Sequence, residues 1–241
     1  MPLATQPAGT ARQQLKDLLN CWGDDAAIKG YMQDKIKARY ELVLFIEHIP
    51  YALDQWLPKH PGSLQACLGE LCSTIAFLAS KGIIHFDAHF KNVLTDGRQI
   101  YLTDFGLALD QSFDLSPAEQ TFYDQNLGYD YAEIALNIGH LVISFYNSCP
   151  EQNKRKIQQK YGLAEDLKPH QLRAILLDNL EQIQADGTME LDPFLLNSLI
   201  KCREIIHLMH TFLANLRSHD QKNTKFPQEK LMSLLKESGF P

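Results

Sequence analysis

The chain has 241 residues, 45% of them hydrophobic, with 23 basic against 29 acidic side chains and a net charge of -6. That length and apolar content allow one large core or two small ones joined by a hinge, and the negative balance is the wrong sign for a general binder of nucleic acid backbones. The N-terminus, MPLATQPAGTAR, has no basic region followed by an apolar stretch, and no segment approaches the ~20 apolar residues of a membrane span. A cytoplasmic globular protein is expected, with neither nucleic acid nor a membrane span.

Five cysteines, Cys21, Cys67, Cys72, Cys149 and Cys202, are odd in number and form no C-x-x-C pair, so they read as reduced core thiols. The first ten residues carry Pro2, Pro7 and Gly9 among small polar neighbours and read as a loose tail. From Ala11 to Trp22, Leu15, Leu18, Leu19 and Trp22 recur at helical spacing, and Gly23-Asp24-Asp25 ends the run. Two strands are expected next, Ile28 to Lys37 and Tyr40 to Ile49. The second holds Leu42-Val43-Leu44-Phe45-Ile46, an apolar run that suits a strand buried on both faces.

After Pro50, residues 51–57 predict a short helix, and Ser63 to Lys81 a long one with Leu64, Leu68, Leu71, Ile75 and Leu78 on one side. Gly82 stands where a left-handed C-cap belongs. Short apolar runs follow at Ile83-Ile84-His85, Asn92-Val93-Leu94 and Ile100-Tyr101-Leu102, with Asp96-Gly97 as a hairpin signal between the last two. From Asp130 onward the pattern is helical, in segments near 130–147, 151–160, 169–184, 192–218 and 227–237. No repeat of fixed period appears.

The stretch GIIHFDAHFKNVLTDGRQIYLTDFGLA, residues 82–108, concentrates the chemistry. It carries H-x-D-x-x-x-x-N at His85, Asp87 and Asn92, and then D-F-G at Asp104, Phe105 and Gly106, with Asp104 twelve residues past Asn92. Together, after a long helix and around a hairpin, these resemble the catalytic and metal-binding loops of the protein-kinase-like superfamily. The resemblance implies an α+β, two-lobed fold: a truncated small lobe over residues 1–48 and a mainly helical large lobe over 49–241.

It also implies ATP and Mg²⁺. Phosphoryl transfer needs a nucleophile aimed in line and cations holding the phosphate oxygens. By resemblance Asp87 would orient the attacking hydroxyl or accept its proton, while Asn92 and Asp104 would hold Mg²⁺ through hard oxygen ligands. His89 stands where the aminoglycoside and choline kinase branch places His; it would touch the transferred phosphate or substrate, or order the loop by a hydrogen bond. The run LVLFIEHIP resembles the strand and hinge of the superfamily, with the Glu47 carbonyl and Ile49 amide as candidates for adenine, Asp54 for ribose, and Leu94 beneath the adenine ring. A plain buried strand accounts for that run too.

Asp130 and Glu133 form an Asp-x-x-Glu version of the capping box before Ile134, Leu136, Ile138, Leu141 and Val142. In the superfamily the Asp at this helix start also fixes the catalytic loop, which makes Asp130 structural in role. Phe86 replaces the Arg that regulated protein kinases carry beside the catalytic Asp, so a phosphorylated-loop switch is not expected. No Ala-Pro-Glu signature lies between Gly106 and Asp130.

The glycine-rich loop and the small-lobe Lys of a complete member are not recognisable. Either the chain is a shortened form, or it binds without catalysing, or a second chain completes the small lobe. His207 and His210, at H-x-x-H, lack a third ligand at a telling distance, and Lys154, Arg155, Lys156 and Lys160 read as a solvated face. No G-x-S-x-G motif argues for a hydrolase. Two function classes result: an active phosphotransferase, with a protein Ser/Thr or small-molecule hydroxyl acceptor, and a pseudokinase or scaffold module.

Overall fold

The computed structural model describes residues 26–40, 43, 45–164, 166–217 and 224–240. The helix expected over 11–22 lies outside them, as does Cys21. The chain divides into two compact units, residues 1–48 with 213–224, and residues 49–212 with 225–241.

In the first unit, helix α1 spans Ala26–Lys37, where the sequence suggested a strand. Its composition, AAIKGYMQDKIK, is rich in Ala, Lys, Met and Gln and has only two β-branched residues, so intrinsic preference favours helix. The second expected strand is also absent: the described residues between Tyr40 and Pro50 take no regular structure. Phe45 is 95% exposed and Ile46 80% exposed. An apolar run becomes a buried strand only where neighbours pair with its backbone and cover both faces. No strand is present among the described residues of this unit to do so.

In the second unit, β1 (Tyr51–Ala52) replaces the first turn of the expected 51–57 helix, which shrinks to α2 (Leu53–Trp56). Helix α3 (Leu64–Ser80) follows, burying Leu64, Leu68, Leu71, Ile75 and Leu78, and Gly82 closes it at φ 75°, where a side chain would be strained. Contrary to expectation, one stretch, Pro61–Ser80, does meet the length and hydropathy of a membrane span. Its apolar stripe is nevertheless packed into this unit's core.

Strands β3 (Val93–Thr95) and β4 (Ile100–Leu102) form an antiparallel hairpin with Leu94 opposite Tyr101. β1 completes the sheet on the other side of β3, placing Ala52 opposite Leu94. The hairpin loop is closed by Asp96, whose Oδ1 accepts from the N–H groups of Arg98 and Gln99 at 2.8 and 3.0 Å, and Gly97 supplies the positive φ of 87°. A second ladder pairs β2 (Ile83–Ile84) with β5 (Leu109–Asp110). These two small sheets anchor both ends of residues 85–92 and the start of the segment after residue 102.

The rest is helix: α4 (Pro117–Asp124), α5 (Tyr129–Ser148), α6 (Glu151–Tyr161), α7 (Pro169–Asp178), α8 (Leu180–Ala185), α9 (Pro193–Arg217) and α10 (Gln228–Ser238). The segment expected as one helix over 169–184 is broken at Asn179, whose backbone leaves the helical region at φ -114° and ψ 15°. Helix α4 carries a full capping box, Ser116 with Glu119, a signal present in the sequence. Helix α5 is the spine of the unit, with Ile134, Ala135, Ile138 and Val142 fully buried. The architecture is α+β, mainly helical, with two small antiparallel sheets among the described residues.

Candidate active site

The loop between β2 and β3 is held from below by α5. Asp130 accepts from two successive amides, His85 N–H at 2.8 Å and Phe86 N–H at 2.9 Å. Asn137 Oδ1 accepts from Phe90 N–H at 3.2 Å, while its Nδ2 donates to the Glu133 carbonyl at 2.7 Å. Asp130 is therefore not the helix cap that the sequence suggested: Gly128 holds that place, without a side-chain bond. The Asp130 side chain serves the loop instead. Burial pushes its carboxyl pKa up, and the two amide bonds oppose that rise.

His85 is fully buried. Its Nε2 lies 3.0 Å from the Thr103 carbonyl, and its Nδ1 accepts from Asp87 N–H at 3.3 Å. A carbonyl only accepts, so the proton belongs on Nε2. The ring also meets Phe105 edge-on at 4.6 Å between centroids. Phe86, at φ 63°, is one of two non-glycine residues with positive φ among those described, a conformation that costs about 1–3 kcal/mol. Asp130 below and an aromatic row beside it keep it there: its ring stacks on Phe122 at 5.4 Å and tilts against Tyr129 at 5.3 Å. Apolar packing thus surrounds the Phe86 ring.

Asn92 Nδ2 donates to the Asp87 carbonyl at 3.0 Å and to Asp87 Oδ2 at 2.8 Å. With both amide hydrogens used inward, Asn92 Oδ1 is the part of the amide left for another partner. The Asn92 carbonyl accepts from Thr103 N–H at 2.8 Å and Thr103 Oγ1 at 2.9 Å. This double bond across the hairpin brings the residue before Asp104 alongside Asn92. Asp104 itself takes φ 60° and ψ 67°, and its Oδ1 accepts from Gly106 N–H at 3.4 Å. Asp is among the few side-chain-bearing residues that tolerate this left-handed region.

The Asn92 N–H is shared by two acceptors on His89, the carbonyl at 2.8 Å and Nδ1 at 3.2 Å. The second of these bonds leaves the proton on Nε2, which lies 3.4 Å from Asp87 Oδ1. Thus Asp87, His89 and Asn92 form one cluster, and Asp104 adjoins it through Thr103. Asp54 is tied to the same loop by its N–H to the Phe90 carbonyl at 3.2 Å, and its buried Oδ1 has no hydrogen-bond partner. Leu94 is half-buried in β3. Glu47, exposed, belongs to the first unit, while the half-buried Ile49 opens the second.

Sequence reading missed Thr103 and Asn137, which hold the loop from the hairpin and from α5. The signal was there: Asp130, Glu133 and Asn137, at i, i+3 and i+7, make a polar stripe on an otherwise apolar helix. Burial, followed by the negative charges of Asp87 and Asp130, pushes Glu133 up to about 8, with a Tyr129 hydrogen bond opposing. Tyr129 is driven up in turn, first by burial and then by Glu133.

The other sequence candidates resolve as structural. His207 pairs with Asp178 at 2.9 Å, and Arg173 reaches His210 Nδ1 at 3.3 Å. No cluster of three or more His, Cys, Asp or Glu suited to a metal occurs among the described residues. Arg155 meets Glu151 at 3.5 Å and Lys160 pairs with Asp186, as on a solvated face. A groove of about 330 Å³ between α3 and α9, lined by Leu68, Gly69, Cys72, Phe194 and Lys201 among others, shares no residue with the loop. Compared with known proteins, the chain matches no family model and no curated protein sequence.

Proposed function

We propose that the chain is an ATP-dependent phosphotransferase of the protein-kinase-like type, with residues 1–48 as a shortened small lobe and 49–241 as the large lobe. The γ-phosphate would pass to a hydroxyl acceptor, for which a protein Ser or Thr is the favoured class. The observation that carries this reading is the mutual arrangement of Asp87, Asn92 and Thr103: one loop and one hairpin, tied by four hydrogen bonds, bring Asp87 and Asn92 together and set the residue before Asp104 against Asn92.

The donor set fits Mg²⁺, which favours hard oxygens and keeps water and phosphate in the rest of its shell. Asn92 Oδ1 and Asp104 would hold it. A cation held there would supply charge neutralisation at the phosphate oxygens. Asp87 keeps Oδ1 toward His89 and Oδ2 toward Asn92, so its carboxylate is fixed in aim before the acceptor arrives, and it orients the hydroxyl and takes its proton. His89 Nε2–H steadies that carboxylate and is the loop group best placed to meet the transferred phosphate. Asp54, with an unpartnered buried oxygen on the adjoining segment, suits a ribose hydroxyl. Leu94 would offer an apolar face to adenine, with the Ile49 amide as a candidate for its edge.

The test is ADP formation from ATP and Mg²⁺ with a Ser/Thr peptide library and, separately, with small polyhydroxylated and amino-alcohol acceptors. Acceptor-dependent turnover that falls by at least 10²-fold in Asp87→Asn supports the reading. The small-molecule class is favoured by His89 and the missing Ala-Pro-Glu, and the same panel separates it.

A second reading, a binding module without turnover, draws on a specific observation. The described residues before Ile49 include no strand, and Val43, Phe45 and Ile46 are exposed, which suits a small lobe completed by another chain. Nucleotide binding without ADP formation supports it.

A further inference from the structure

Phe90 lies in the loop between Asp87 and Asn92, and each of its two backbone groups is held by a different helix. Its N–H donates to Asn137 Oδ1 of α5 at 3.2 Å, and its carbonyl accepts from the Asp54 N–H of α2, also at 3.2 Å. Phe90 is 2% exposed and Asn137 5%, so neither bond is readily exchanged for one to water. The turn that carries Asn92 closes around this point, with the His89 carbonyl accepting from Asn92 N–H at 2.8 Å.

Asn137 is itself fixed from behind. Its Nδ2 donates to the Glu133 carbonyl, four residues back on its own helix, at 2.7 Å. That bond leaves Oδ1 as the acceptor for the loop; the flipped amide would set donor against donor and acceptor against acceptor. On the other side, Asp54 is the second residue of α2, a position where the helix has no carbonyl of its own to offer the N–H. The Phe90 carbonyl supplies one. The β1–β3 ladder pairs Tyr51 with Thr95 and Ala52 with Leu94, and the bond from Asp54 to Phe90 carries the contact between these two segments one step further.

We propose that Asn137 is a positioning residue for Asp54 as well as for the loop: acting through the Phe90 backbone, it sets the place of Asp54 relative to the cluster of Asp87 and Asn92. This rests on the reading of Asp54 as the contact for a ribose hydroxyl. A nucleoside triphosphate would span both ends of that relation, its ribose at Asp54 and its phosphates toward Asn92 and Asp104. Registering the two ends through one buried amide prepares the site for both contacts before the ligand arrives, which lowers the ordering cost of binding. Asn137 itself touches neither the nucleotide nor the acceptor.

The test compares Asn137→Ser and Asn137→Asp with wild type in the full chain, first without nucleotide, by amide hydrogen exchange. Serine keeps a donor for the Glu133 carbonyl, as hydroxyls in helices do, and gives up the bond to Phe90. Aspartate keeps the acceptor for Phe90 and sets its other oxygen against that carbonyl. Both variants are expected to lose stability. Only Asn137→Ser is expected to speed exchange at Phe90 and Asp54 together, by about tenfold beyond the change at the buried Val142 of α5, as the loss of one buried hydrogen bond gives. The amides of His85 and Phe86, which Asp130 holds, are expected to follow the global change in both. ATP affinity is then expected to fall by about tenfold in Asn137→Ser and to stay near the wild-type value in Asn137→Asp.

Faster exchange at Phe90 with Asp54 unchanged overturns the inference, because the β1–β3 ladder alone would then place Asp54. Equal losses at residues 85–90 in both variants overturn it too, since a merely structural role gives that pattern, and so does an ATP affinity that Asn137→Ser leaves intact. Should Asn137→Asp fail to fold, Asn137→Ser decides by whether Asp54 follows Phe90 while His85 and Phe86 do not. Absent ATP binding in the wild type would count against the phosphotransferase reading, and the exchange pattern, measured without nucleotide, would still decide the role of Asn137.

Discussion

Asn92 gives both hydrogens of its amide to Asp87, one to the backbone carbonyl at 3.0 Å and one to the carboxylate at 2.8 Å. The loop is thereby closed on itself, and the amide oxygen is turned away from Asp87. Asn92→Asp replaces two donors with a carboxylate facing two acceptors. A cost of about 1–3 kcal/mol is expected at pH 7. The new carboxyl's folded pKa is raised, so the loss is expected to shrink as pH falls below it. Urea unfolding at pH 7 and pH 5 measures both.

Asp130 holds Phe86 in its left-handed conformation by accepting from residues 85 and 86 at once. Asn at 130 can accept with only one oxygen and sets an NH₂ against the other amide. Asp130→Asn is expected to cost about 2 kcal/mol or more. The backbone amides of His85 and Phe86 should lose hydrogen-exchange protection first, while Ile138 amide protection on the same helix follows only the global change.

Two glycines within helices predict opposite signs. A Cβ on Gly69 meets nothing within 4 Å, so Gly69→Ala is expected to stabilise by about 1 kcal/mol through helix propensity alone. A Cβ on Gly139 would stand 2.9 Å from Ile206 Cγ2, in the contact between α5 and α9. Gly139→Ala is expected to destabilise by about 1–3 kcal/mol through overpacking. Chemical denaturation of the two variants beside wild type decides it.

The buried thiols are expected to be inert. Burial pushes Cys72 up to about 11 and Cys202 to about 12, and only the thiolate reacts. Native protein at pH 8 should leave both unlabelled by a maleimide probe, with labelling appearing in denaturant. Peptide mapping distinguishes them from Cys149, which is only half-buried.

The arrangement of the loop over residues 85–92 was legible because it sits in short, local patterns: His85, Asp87 and Asn92 are tied mainly to one another, to Thr103 and to Asp130. The long helices were legible from periodicity, as with Leu64, Leu68, Leu71 and Ile75. What stayed hidden depended on partners distant in sequence. Asp130 reads as a cap from its spacing to Glu133, and only the fold shows it holding the amides of His85 and Phe86. Tyr51-Ala52 looked helical until β3 offered a ladder, and Val43 to Ile46 looked like a buried strand because hydropathy does not report whether neighbouring strands exist.

The central claim is that Asn92 and Asp104 hold a cation for nucleotide phosphates. It is tested most directly by thermal unfolding with ATP, with and without Mg²⁺, on wild type and Asp104→Ala, since a ligand that binds only the folded state raises the midpoint. At 100 times the dissociation constant the gain is about 2.7 kcal/mol, or several degrees for a chain of this size. A Mg²⁺-dependent rise that disappears in Asp104→Ala is the predicted result; no rise at millimolar ATP, or a rise of equal size in Asp104→Ala, would contradict the account.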